Sequence, residues 1–261
     1  TMRERMAEHW IRTQRSYYDK SSKRVYYLSL EFLVGRSLKN NVLCLGIEDQ
    51  VREALAGLGQ DYEEISEVEW DAGLGNGGLG RLASCYLDSM ATLGIPAYGY
   101  GIRYEYGIFH QSIQDGWQVE RPDNWLRFGN PWEYDRAGYL FPVQFHGQVR
   151  SYTDDAGRLR YIWEGGEKVM AMAYDMMIPG YENDNVINMR LWSAKSSRDF
   201  NLEFFNSGAY LKAIEDKAKS ENISKVLYPQ DSFVEGQELR LKQQYFFVAA
   251  TFHDITRRHL K

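Results

Sequence analysis

Residues 71–83 read "DAGLGNGGLGRLA", with glycine at 73, 75, 77, 78 and 80, and a helix-like pattern follows directly. The first turn of a helix has free N–H groups and a partial positive charge of roughly half a unit. Gly77 and Gly78 have no Cβ, so a phosphate or a sugar hydroxyl could approach the backbone closely there. Arg81 is the cation nearest the loop in sequence, one turn into the helix. A tight helix–strand corner would use the same glycines, and both readings stand at this point. Gly73, Gly75 and Gly78 also satisfy G-x-G-x-x-G, which would suggest a nicotinamide oxidoreductase. That site needs a buried strand before the loop and an acidic residue about 20 positions after the first glycine. Here the preceding "EEISEVEWDA" is acidic and Leu93 stands near the acidic position, so the dinucleotide reading is disfavoured.

The other reactive side chains say less. Arg257 and Arg258 are adjacent, which suits a helix C-terminus on a solvated face or, in a cluster, a phosphate. His110, His146 and His253 show no metal or nucleophile spacing and read as structural. Cys44 and Cys85 are too few for a disulfide framework and lack zinc spacing, which suits a reduced cytoplasmic setting. The "NIS" at 222–224 fits a glycosylation sequon, but nothing else points to secretion.

The chain has 261 residues and a formal net charge of −5, so it has no bulk attraction for nucleic acid or anionic membrane. Its N-terminus lacks a signal-peptide apolar core, and "YFFVAATF" (245–252) is too short to span a bilayer. Aromatics make up 15%, enough to supply flat sugar-binding faces, although filling a large core is the simpler use.

These residues need elements to hold them. Met2, Met6, Trp10 and Tyr17 are at helical spacing over 2–18, and "RVYYLSLEF" (24–32) suits one strand. A helix is expected over 47–59, with Val51, Ala54 and Leu55 on one face. The clearest helix is 78–94, with Leu79, Leu82, Ala83, Tyr86, Leu87, Met90 and Ala91 in its apolar stripe. Residues 97–109 read as a strand with glycines where side chains do not fit, and 139–195 as short antiparallel strands. A helix near 203–219, a strand at 224–228 and a long helix from about 235 complete the chain. In that last helix Ser232 and Glu235 could form a capping box, and Leu241, Tyr245, Val248, Phe252 and Ile255 line one stripe. The class is α/β with a mixed or mostly parallel sheet.

At this point "DAGLGNGGLGRLASCYLDSMATLG" closely resembles the glycine-rich loop and helix of the α-glucan (glycogen/starch) phosphorylases. "KRVYYLSLEFLVGRSL", "AYGYGIRYEYGIF", "WLRFGNPWE", "MRLWSAK", "ENISKVLYPQD" and "GQELRLKQQYFFVAAT" resemble family segments in family order, so the resemblance covers essentially the whole chain. It implies the Rossmann-like N-terminal domain of a two-domain (GT-B type) glycosyltransferase. Within 1–261 it implies an interface helix at 1–20, the glycine loop and helix at 71–94 and a β-rich antiparallel insertion at about 139–195. The implied enzyme releases glucose 1-phosphate from α-1,4-glucan by phosphorolysis, using pyridoxal phosphate. The lysine that holds this cofactor belongs to a C-terminal domain outside this sequence, so the chain alone is expected to be inactive.

The resemblance also assigns residues. Asn76, Gly77, Gly78, Leu79 and Glu31 would line the catalytic cleft, with Gly77 and Gly78 near the cofactor or substrate phosphate. Asp231, Ser232 and Phe233 match a mobile gate, with Ser232 where animal enzymes have asparagine. Leu33 replaces a tyrosine, leaving only an apolar contact to the cofactor. Trp10, Gln14, Tyr18, Arg136, Arg190, Arg257 and Arg258 match an effector site for AMP or glucose 6-phosphate near a homodimer interface. A non-catalytic binding and dimerisation module for nucleotide or sugar phosphate is the alternative.

Overall fold

The computed structural model describes residues 1–197 and 205–260. Helix α1 (Met2–Asp19) starts with a capping box in which Thr1 and Glu4 each bond the other's backbone, and it buries Met6, Trp10, Thr13 and Tyr17. The single strand expected over 24–32 is two: β1 (Val25–Leu28) and β2 (Phe32–Gly35), in different sheets. Ser29 turns the chain between them, its hydroxyl donating to the Glu31 carbonyl at 2.7 Å, and this carries Glu31 inward. Helices α2 (Ser37–Cys44), α3 (Glu48–Gly57) and α4 (Tyr62–Glu67) follow, then the short strand β3 (Ala72–Leu74), antiparallel to β2.

Helix α5 (Gly78–Thr92) and strand β4 (Ala97–Ile102) form the centre. All six residues of β4 are buried. A Cβ on Gly99 would meet Leu87 Cδ1 at 2.8 Å, so these glycines do stand where side chains do not fit. The expected stripe of α5 is partly turned outward: Leu79, Leu82 and Tyr86 are exposed, and Gly80, Ala83, Ser84, Leu87 and Ala91 face inward. The small-residue face lets the helix sit close against the glycine-bearing strand.

The hairpin β5 (His110–Gln114) and β6 (Trp117–Arg121) was not expected from the sequence. Strands β7 (Glu133–Phe145), β8 (Gln148–Thr153), β9 (Leu159–Glu164), β10 (Glu167–Pro179) and β11 (Val186–Ser196) supply the antiparallel texture. The main sheet has five strands in the order β1-β4-β11-β10-β7, parallel among β1, β4 and β11 and antiparallel beyond. Thus β7, β10 and β11 extend the central sheet, and the β8–β9 hairpin projects from it. The fold is mixed α/β with a parallel-strand core.

Of the helix expected near 203–219, residues 203 and 204 lie outside the described residues; α6 covers Tyr210–Glu221. The strand expected at 224–228 is replaced by a 3₁₀ turn (Asn222–Ser224) and one bridge from Val226 to Tyr106. Helix α7 (Val234–His259) is capped by Phe233, one residue later than a Ser232 capping box requires, and that box is absent. Its expected stripe is also corrected. Leu241, Tyr245, Val248 and Phe252 are exposed, while Gln243, Phe246, Phe247, Ala250, Thr251 and Asp254 are buried. Polar residues can lie inside because each is bonded: Gln243 donates to the Val226 carbonyl at 3.0 Å, and Thr251 accepts from the Trp192 indole at 3.1 Å. Side-chain contacts put α1 and α7 on one face of the sheet, through Tyr98, Tyr100, Arg190 and Trp192. Leu87 of α5 meets Gly99 and Met189 lies with it on the opposite face. Among the described residues no helix is long and apolar enough to cross a membrane.

Candidate functional site

The glycines of the loop divide into two groups. A Cβ on Gly73 would meet Asp123 Oδ2 at 2.9 Å, and one on Gly75 would meet the Leu33 backbone nitrogen at 2.9 Å. One on Gly80 would lie 3.1 Å from Gly75 Cα and 3.2 Å from Glu31 Oε2. These three make the tight corner. Gly77 and Gly78 have nothing within 4 Å. Both are exposed, and Gly77, the cap of α5, is extended with φ −171°. Openness, not backbone strain, is what glycine provides there.

Among the described residues the N–H groups of Gly77, Gly78 and Leu79 meet no acceptor, and Asn76 and Leu79 are exposed beside them. Four amides at a helix start lack intrahelical partners, so this turn presents free donors to solvent. Arg81 does not face that opening: its Nη1 lies 3.3 Å from the carbonyls of both Leu33 and Val34. Glu31 sits under the loop, 6% exposed, and its Oε2 accepts the Asn76 N–H at 2.8 Å. Its Oε1 accepts the Tyr228 hydroxyl. Tyr228 stands in the family-like segment "ENISKVLYPQD" that leads into the expected gate, but the sequence gives it no role of its own. No periodicity marks its contact, because the partner is 197 positions away.

The three residues expected to form a gate are exposed. Asp231 pairs with Arg240 of α7, Ser232 Oγ accepts from Gln230 Nε2 at 2.9 Å, and Phe233 caps α7. None lies within 4 Å of where a Gly77 or Gly78 side chain would stand.

The second cluster lies on the α1/α7 face. Register places Asp175 of β10 opposite Arg190 of β11, and Arg190 opposite Tyr100 of β4. Arg190, 2% exposed, donates to Asp175 Oδ1 at 2.7 Å and Oδ2 at 2.8 Å, and to Asp254 Oδ2 at 2.9 Å. Arg136 Nε reaches Asp175 Oδ2 at 3.0 Å, and its guanidinium carbon lies 4.8 Å from the Trp10 ring. Arg258 Nε donates to Asp254 Oδ2 at 2.9 Å, and the Arg257 guanidinium carbon stands 4.4 Å from the Tyr139 ring. Gln14 accepts the Tyr98 hydroxyl, and Tyr98 in turn lies 4.8 Å from the Arg258 guanidinium carbon. Six of the seven predicted residues therefore meet. Tyr18 stands at the rim, 55% exposed, with the Arg24 guanidinium carbon 4.5 Å from its ring.

Four guanidiniums (Arg136, Arg190, Arg257, Arg258) face two carboxylates (Asp175, Asp254), which leaves a local excess of two positive charges. Burial opposes the charged form of Asp175. The hydrogen bonds and charge of Arg190, with Asn188 and Arg136, outweigh it and hold the carboxyl below its usual range. The Arg257 hydrogen bond, against burial, lowers the Tyr139 phenol. Arg190 is spent on the two aspartates, so the partly exposed cations are Arg136 and Arg257. Sequence could have found Asp254, which lies three and four residues before Arg257 and Arg258 on α7; Asp175 is brought in only by strand register.

The carbohydrate phosphorylase family profile matches residues 55–261. Over all 261 residues the chain is 60% identical to a glycogen phosphorylase of Chlamydia pneumoniae, covering 32% of that protein. It is 58% identical over 258 residues to the liver form of glycogen phosphorylase of Homo sapiens, covering 99% of this chain and 30% of that protein. The chain thus spans about a third of the length of the curated relatives it matches.

Proposed function

The chain belongs to the carbohydrate phosphorylase family, and on that premise we propose that it is the Rossmann-like N-terminal domain of a two-domain α-glucan phosphorylase. In the reaction an oxygen of inorganic phosphate bonds to the anomeric carbon of the terminal α-1,4-linked glucose. The glycosidic bond breaks, its oxygen takes a proton, and glucose 1-phosphate leaves. The observation that carries this reading is the open start of α5, with the unpartnered amides of Gly77, Gly78 and Leu79 set beside a fixed Glu31.

Those amides fit a phosphate oxygen, belonging either to the substrate or to pyridoxal phosphate, because no side chain obstructs Gly77 or Gly78. When bound, the cofactor supplies a phosphate group that exchanges a proton with the substrate phosphate. The field at this turn is modest, roughly 0.3–1 kcal/mol when exposed. The Glu31 carboxylate lies against the same first turn and works against an incoming anion, and Arg81 is turned toward β2. Cations from outside this chain are therefore needed to hold phosphate, so this chain alone does not turn over. The full-length protein should form glucose 1-phosphate from glycogen and phosphate and show pyridoxal absorbance. Absence of both in the full-length protein refutes the reading.

The arginine cluster supports a second reading, an effector site on a homodimer for AMP or glucose 6-phosphate. Trp10 Nε1, Gln14 Nε2 and Arg257 Nε are buried with no hydrogen-bond partner, beside the two excess positive charges. Calorimetry with either ligand at millimolar concentration tests it, and an absence of heat removes it.

A further inference from the structure

We propose that Glu31 and Tyr228 are positioning residues that lock the glycine loop and the gate segment into one moving unit. The proposal rests on reading Asp231–Phe233 as a gate. The backbone of Glu31 is fixed on its N-terminal side: Ser29 Oγ accepts its N–H at 3.2 Å and donates to its carbonyl at 2.7 Å, and the Leu30 carbonyl accepts the Tyr104 hydroxyl at 3.1 Å. The carboxylate then divides its two oxygens between two segments that do not touch each other at the open turn. One takes the Asn76 N–H of the glycine loop, and the other takes the Tyr228 hydroxyl. Gly80, which lacks a Cβ, leaves the space in which the carboxylate sits.

Tyr228 is itself a joint. Its φ is +56°, in the left-handed region that bulky side chains rarely adopt, and it lies between the 3₁₀ turn and the gate. Its phenol is bonded to Glu31, and the Arg240 guanidinium carbon lies 5.7 Å from its ring while the same guanidinium pairs with Asp231. A continuous line of contacts therefore runs from Asn76 through Glu31, Tyr228 and Arg240 to Asp231. If the gate swings and Tyr228 leaves, the buried carboxylate loses one of its two donors, and its hold on Asn76 changes at the same time.

The test is hydrogen–deuterium exchange on the full-length protein, reading peptides over 73–79 and 228–234, in Tyr228→Phe, Glu31→Ala and Glu31→Gln. Tyr228→Phe removes only a hydroxyl, so it should fold even if Glu31→Ala does not. The expected result is exchange about tenfold faster in both segments for Tyr228→Phe, with β10 and β11 unchanged. Glu31→Gln keeps one acceptor oxygen and should rescue part of the loss seen in Glu31→Ala. Acceleration confined to 228–234, or to neither segment, overturns the proposal. Exchange needs no turnover, so an inactive wild-type protein with coupled exchange would refute the phosphorolysis reading and leave the coupling standing.

Discussion

Arg190 and Asp254 meet between the sheet and helix α7, guanidinium Nη1 to carboxylate Oδ2 at 2.9 Å, with side chains 3% and 0% exposed. Because Arg190 also holds Asp175, replacing it by methionine leaves two buried carboxylates without their main partner. Arg190→Met should lower unfolding stability by about 3–5 kcal/mol in a denaturant titration. A loss below about 1 kcal/mol would show that the network does not stabilise the interface.

The same network sets an acid limit. The Asp175 carboxyl is held below its ordinary value, which is about 3.9 in an unfolded chain. A depressed folded value contributes stability that is fully present above the unfolded pKa and is lost as pH falls through the folded one. Stability should therefore hold down to about pH 4 and drop below it, and Asp175→Asn should flatten that limb. Thermal midpoints across the range read both.

The two groups of glycines predict opposite outcomes. Gly75→Ala places a methyl 2.9 Å from the Leu33 backbone nitrogen and should destabilise by about 1–3 kcal/mol. Gly78→Ala meets nothing within 4 Å and should leave stability within about 0.5 kcal/mol. In the full-length protein Gly78→Ala should still lower kcat/KM for phosphorolysis by about tenfold or more, since it crowds the donors. Unchanged turnover would remove the open helix start from the site.

Which parts of this were legible follows from the range of the forces involved. Helix α5, its end at Gly94 and the close packing at Gly99 are local, and periodicity or composition exposes them. Apolar spacing alone does not mark the inward faces of α5 and α7. Small residues win against the glycine strand β4, and bonded polar residues win on α7. The residues expected in the cleft and at an effector site are legible only through the family resemblance. Tyr228 and Asp175 depend on partners 197 and 15 positions away, which no short window reads.

The cysteines should separate by reactivity. Cys44 is buried and burial pushes its thiol up to about 11, whereas Cys85 is exposed. A thiol reagent at pH 8 should label Cys85 within minutes and Cys44 only on unfolding, as mass spectrometry of the peptides will show.

Strand β4 has both neighbours supplied by distant chain: Val25–Leu28 on one side and Val186–Ser196 on the other. During vectorial synthesis the first neighbour is already made when β4 emerges, but the second follows on the order of ten seconds later at ribosomal speed. For that interval the nascent polypeptide carries an apolar ribbon with one unsatisfied margin, the kind of surface that holdase chaperones recognise. Folding yield in the cell should accordingly depend on translation tempo between β4 and β11, a constraint set by strand order alone.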